Sequence, residues 1–125
     1  EVLGRLNAAD YAAALQRAHI GLSLKPVGGD VAESTFPSKT IEYAEYGLSI
    51  VATDIGDVRE LFGDAAIYLQ SNEPRELVEH LRWALAERQS VAAIAARGTQ
   101  LVNERLSFAA AGQSLAVFFF PEDGA

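Results

Sequence analysis

One stretch restricts the fold more than any other, residues 33–56. Three punctuating residues, Pro37, Gly47 and Gly56, divide it into short patterned segments. Pro37 suits the opening of a helix, because its fixed φ fits and its missing N–H would have had no helical partner there. Ile41, Ala44 and Leu48 then recur at helical spacing, while Ser38, Glu42 and Glu45 share another face. Gly47 can take the left-handed conformation that closes a helix. Ser49 to Thr53 is a short β-branched run, the pattern of a strand covered on both faces. The order is therefore loop, helix, tight turn, buried strand and glycine turn.

The remainder of the chain repeats this alternation. Val2 to Gly4 reads as the tail of a strand. Asn7 can cap a helix running to about Arg17, with Tyr11, Leu15 and Ala18 on one face. Ile20 to Leu24 is the next strand, and residues 25–36 form a loop rich in turn residues. After Gly56 a short helix is expected at Val58 to Phe62, and a third strand at Ala65 to Leu69. Pro74 begins an amphipathic helix with Leu77, Val78, Leu81, Ala84 and Leu85 in one stripe. A helix from about Ser90 to Arg105 follows. A last one is capped by Ser107 and carries Phe108, Leu115 and Phe118, and residues 120–125 are expected to be a disordered tail. The expectation is one α/β domain of 125 residues, a Rossmann-like parallel sheet of short strands flanked by helices.

Composition removes several function classes. The net charge of −7 opposes non-specific binding of nucleic acid or anionic membrane. Zero cysteines exclude a disulfide scaffold and a thiolate metal site, and two distant histidines, His19 and His80, argue against a histidine metal cluster. These histidines read as structural or surface residues. No metal or cofactor is signalled, and no run of apolar residues is long enough to span a membrane.

In parallel sheets of this kind ligands bind at the carboxyl ends of the strands. The 25–36 loop, the start of the Pro37 helix and the Thr53–Gly56 turn all belong to that edge. Backbone N–H groups at Ser38 and Lys39 could receive an anion there. Lys39 is unfavourable in a first helical turn, which points to a nearby anion or to a carboxylate such as Glu42. Lys25 could also reach a phosphate. Phe36 either packs over the crevice or seals the core beneath the loop, the core being preferred. Glu33 with Glu42 could form a hydrolase acid–base pair, although the loop between them fixes no separation. Glu42 itself admits two readings, a ligand contact or a solvated residue paired with Lys39 or Ser38.

The ordered set Phe36-Pro37-Ser38-Lys39, Glu42-Tyr43, Gly47 and Ile50-Val51-Ala52-Thr53-Asp54-Ile55-Gly56 resembles the donor-binding segment of family-4-type retaining glycosyltransferases of the GT-B fold. The flanking strand at Ala18 to Leu24 and the helix after Asn72-Glu73-Pro74 agree in order. The resemblance implies that Glu42 binds the ribose hydroxyls of a nucleoside diphosphate sugar, that the N–H groups of Ser38 and Lys39, in the helix start opened by Pro37, hold the diphosphate, and that Glu33 to Phe36 lie near the sugar. Gly56 is read as a turn glycine whose N–H approaches the donor. The family's sugar-contacting glutamate lies eight positions before the ribose one. Here Ser34 holds that position and Glu33 precedes it by one.

The resemblance further implies that this is the second half of a GT-B C-terminal domain. Two strands with a basic pair for the diphosphate, and an N-terminal acceptor domain with the catalytic groups, would belong to the parent enzyme. On this reading the chain contains no catalytic residue and is expected to be inactive by itself. The Ile20–Leu24 strand would have an unpaired edge open to self-association. A cytoplasmic location follows from the resemblance, with the inner face of the membrane open to the parent enzyme. The competing reading is a non-catalytic Rossmann-like interaction module without a working nucleotide site.

Overall fold

The computed structural model describes residues 1–120, apart from the side chains of Val31 and Glu33. The order is α1 (Ala8–Arg17), β1 (Ile20–Ser23), α2 (Asp30–Ser34), α3 (Lys39–Glu45), β2 (Ser49–Thr53), α4 (Val58–Phe62), β3 (Ile67–Leu69), α5 (Pro74–Ala86), α6 (Arg88–Leu101) and α7 (Phe108–Phe119). A 3-10 turn at Gly63–Ala65 leads into β3, and a π-helical segment, Val102–Leu106, extends α6. The strands form one parallel sheet in the order β1-β2-β3. The expected α/β class is therefore present.

Strand β2 is buried along its whole length, as its β-branched run requires. Its side chains alternate between two cores. Ile50 and Ala52 meet Ala44 of α3, Val58 and Phe62 of α4, and Val102 of the π segment. Val51 faces the other way, with Ile67 and Leu69 of β3, Leu77 of α5 and Ile94 of α6. Helix α6 thus serves both layers. Ile94 packs on one face of the sheet, and Leu101 with the π segment packs on the other.

Local chemistry sets the element ends. The Asn7 side chain accepts the Asp10 N–H at 2.9 Å, and the Ser107 hydroxyl accepts the Ala110 N–H at 3.1 Å, so both expected caps form. Pro74 stands at the first position of α5. Gly47 has φ +75° just beyond α3.

The structure departs from the expectation in several places. Residues 2–4 join no strand, and α2 forms inside what reads as a loop. Helix α3 begins at Lys39, two residues after Pro37, because the Pro37 carbonyl accepts both the Thr40 N–H (2.9 Å) and the Thr40 hydroxyl (2.7 Å). Pro37 thus lies ahead of the helix rather than at its first position. Phe36 is 38% exposed and does not seal the core, whereas Pro37 beside it is buried. On α7 the apolar face stays uncovered, with Phe108 fully exposed and Phe118 77% exposed. Phe120, the first residue of the expected tail, still donates its N–H to the Ala116 carbonyl at 2.8 Å, and residues 121–125 lie outside the described residues.

Strand β1 pairs only with β2, so its other edge is open among the described residues, with Leu22 and Leu24 both exposed. The ring of Tyr43 lies where a Cβ on Gly21 would be, so glycine there lets α3 settle on β1. No helix among the described residues is long and apolar enough to cross a membrane.

Candidate functional site

The strand tips end in a network of side chain to backbone bonds. The Thr53 hydroxyl accepts the Lys25 N–H at 3.0 Å and lies 3.5 Å from the Ser23 carbonyl, tying the end of β1 to the end of β2. Asn72 grips the backbone of Val27 from both sides, accepting its N–H at 2.7 Å and donating to its carbonyl at 3.3 Å. Glu76, in the first turn of α5, accepts the N–H groups of Gln70 and Ser71 and the Ser71 hydroxyl. The Gln70 N–H first, then the Ser71 contacts, hold its carboxyl below the usual range. Between these loops lies a cleft of about 560 Å³, bordered by Lys25, Pro26, Thr53, Asn72 and Pro74.

Lys39 and Glu42 do not border that cleft. They meet instead on α3, one helical turn apart, and a third residue joins them. Lys39 Nζ donates to Glu42 Oε2 at 2.9 Å and to the Tyr11 hydroxyl oxygen at 3.0 Å. The Tyr11 hydroxyl donates to the same Oε2 at 2.9 Å. Lys39 also stands 5.0 Å from the centre of the Tyr11 ring, a cation–π distance. Partial burial favours the neutral form of Glu42, but the hydrogen bonds from Lys39 and Tyr11 and the Lys39 charge outweigh it, so its pKa is lowered. The same bonds, Tyr11 first and Glu42 second, raise the pKa of Lys39. The ion pair that the spacing allowed is therefore real. The contribution of Tyr11 was not legible, because Tyr11 and Glu42 are 31 residues apart and Tyr11 lies on what reads as a core-facing stripe.

The other candidates fall around this cluster in different ways. The Ser38 N–H already donates to the Phe36 carbonyl at 2.9 Å, and the Ser38 side chain makes no capping bond. The Thr40 and Ile41 N–H groups donate to the Pro37 and Ser38 carbonyls, whereas the Lys39 N–H has no backbone acceptor ahead of the helix among the described residues. Gly56 has φ +52°, and a Cβ on it would lie 2.7 Å from the Thr35 carbonyl oxygen. The backbone just before Phe36 thus closes over Gly56. The side chain of Glu33 lies outside the described residues. His19 is exposed, and His80 lies 4.0 Å from Glu76.

Two further features stand apart. Arg59 pairs with Asp54 at 2.7 Å and lies over the Tyr68 ring at 4.2 Å, bracing the β2–α4 turn. A larger groove of about 1020 Å³, lined mainly by alanines and aliphatic residues, lies by Ala18, Gly47 and Val91. No group of three metal-capable side chains occurs among the described residues.

The family model described as glycosyl transferase-like matches residues 1–115. No curated protein matches the chain.

Proposed function

The chain belongs to the glycosyl transferase-like family, and on that premise we propose that it is the donor-binding part of a retaining, family-4-type enzyme of the GT-B fold. The donor is a nucleoside diphosphate sugar. The observation that carries this reading is the Glu42 carboxylate, kept ionised beside Lys39 at the start of α3 and still able to accept from a ligand. Glu42 accepts the ribose hydroxyls, and the backbone amide of Lys39 meets the diphosphate. The sugar lies towards Glu33–Phe36, and Pro37 and Ser38 fix the approach to α3.

The chemistry is replacement of the bond from the anomeric carbon to the diphosphate oxygen by one to an acceptor oxygen. The acceptor proton leaves with the departing diphosphate. This part contributes positioning and charge stabilisation of the leaving group. The groups that bind the acceptor belong to the parent enzyme, whose further strands cover the open edge of β1. The chain by itself turns over no donor.

Calorimetry with uridine, guanosine and adenosine diphosphates tests the reading. At least one should bind wild type, and Glu42→Ala should abolish that binding. Equal weak binding by both proteins would favour the second reading, a Rossmann-like interaction module. One observation supports that alternative. The Ser38 N–H and Glu42 Oε2 are already engaged within the chain.

A further inference from the structure

Tyr11, Lys39 and Glu42 form a closed ring of hydrogen bonds whose proton order is fixed. An ammonium only donates, so Lys39 spends one proton on the Tyr11 oxygen and one on Glu42 Oε2. The Tyr11 hydroxyl, already accepting from Lys39, has one proton left, and it goes to the same Oε2. Both donors thus fall on a single carboxylate oxygen. Oε1 accepts nothing among the described residues, and it is not a buried polar atom without a partner, so it faces solvent. One Lys39 proton is also unspent.

An exposed i,i+3 pair of lysine and glutamate is by itself a mobile arrangement worth a few tenths of a kcal/mol. Here a partner on a different helix holds both members. The bond Tyr11 donates to Glu42 and the one it accepts from Lys39 are the side-chain hydrogen bonds that join α1 to α3 among the described residues. They fix the rotation of the carboxylate and select which oxygen remains available.

We propose that Tyr11 is a positioning residue. By occupying Oε2 together with Lys39, it presents Glu42 Oε1 and the third Lys39 N–H as an acceptor–donor pair for the adjacent hydroxyls of a ribose. The inference rests on the donor-binding reading and adds to it a residue outside the 33–56 stretch. Its consequence is discrimination. A pre-oriented acceptor rewards a ligand that has the hydroxyls and gives nothing to one that lacks them.

The test is calorimetry of uridine, guanosine and adenosine diphosphates against their 2′,3′-dideoxy counterparts, using the full chain as wild type, Tyr11→Phe and Glu42→Ala. Tyr11→Phe keeps the ring and removes only the hydroxyl. It should lower the ratio of ribo to dideoxy affinity about tenfold, the scale of one hydrogen bond to a charged group. A purely structural tie between helices would lower the melting temperature and leave that ratio unchanged. This outcome, with Glu42→Ala still abolishing binding, overturns the role of Tyr11 and leaves the donor reading standing. Binding that ignores the ribose hydroxyls in wild type, or that survives Glu42→Ala, overturns both. A second readout needs no ligand. By NMR the Glu42 carboxyl should titrate below the ordinary glutamate range in wild type and move upward in Tyr11→Phe, and an unmoved titration counts against the positioning role.

Discussion

Gly56 separates a steric requirement from a ligand contact, and a pair of alanine substitutions measures the difference. Gly47 and Gly56 both have positive φ, +75° and +52°. Beyond Gly47 there is room, since the nearest atom to an added Cβ is Thr99 Oγ1 at 3.9 Å. Gly47→Ala therefore carries only the conformational penalty, about 1 kcal/mol. Gly56→Ala carries the same penalty and also drives a methyl to 2.7 Å from the Thr35 carbonyl oxygen, with the Ala32 carbonyl oxygen at 3.7 Å. Both neighbours are backbone and cannot rotate away. Overpacking of this kind costs a further 1–3 kcal/mol or so. The expected losses are thus about 1 kcal/mol for Gly47→Ala and about 2–4 kcal/mol for Gly56→Ala.

Urea unfolding followed by circular dichroism measures both, provided the slopes match wild type so that the midpoints report stability. Relief of the clash at Gly56 must move Thr35, and with it the Phe36–Ser38 entry to α3. Weakened nucleotide binding should therefore accompany the lost stability. Equal losses at the two glycines would refute the steric argument. Lost binding at full stability would assign Gly56 to the ligand instead.

Two further substitutions test the energetics. The Ser49 hydroxyl is fully buried and has no hydrogen-bond partner among the described residues, so Ser49→Ala should be neutral or stabilise the fold by up to about 1 kcal/mol in the same urea assay; a loss of that size would show a partner for the hydroxyl. Glu42 has a lowered pKa, so the stability it contributes is complete above the unfolded glutamate value, about 4.3, and is lost as pH falls through the lower folded value. The urea midpoints of wild type and Glu42→Gln should accordingly differ at pH 7 and converge on acidification below pH 4 or so. A gap that persists in acid would mean that packing, not the charged hydrogen bonds, distinguishes the two.

Much of the architecture was legible because it rests on local rules. Asn7 and Ser107 cap helices through short-range bonds that depend on neighbouring residues alone. The short helix at Val58–Phe62 follows from a glycine turn and an apolar pair, and the burial of β2 follows from its unbroken apolar run. Legibility failed where a side chain competes for a backbone group, and where packing between elements decides what is covered. Helix α3 starts late because the Pro37 carbonyl takes the Thr40 hydroxyl as well as its N–H. The apolar residues of α7 read as a packing surface, yet no other element covers them among the described residues.

The amino-acid order by itself determined the alternation of helices and strands, from which a parallel sheet follows, and its spacing allowed Lys39 to pair with Glu42 one helical turn away. Only the tertiary structure decided which side chains share a site. Bringing α1 against α3 joined Tyr11 to a carboxylate 31 residues away and chose the oxygen left open. It also placed Lys39 and Glu42 apart from the cleft at Lys25 and Asn72. The physical reason is that periodicity specifies which face of an element is apolar, whereas the meeting of two polar groups depends on how two elements lie against each other, and no local pattern encodes that.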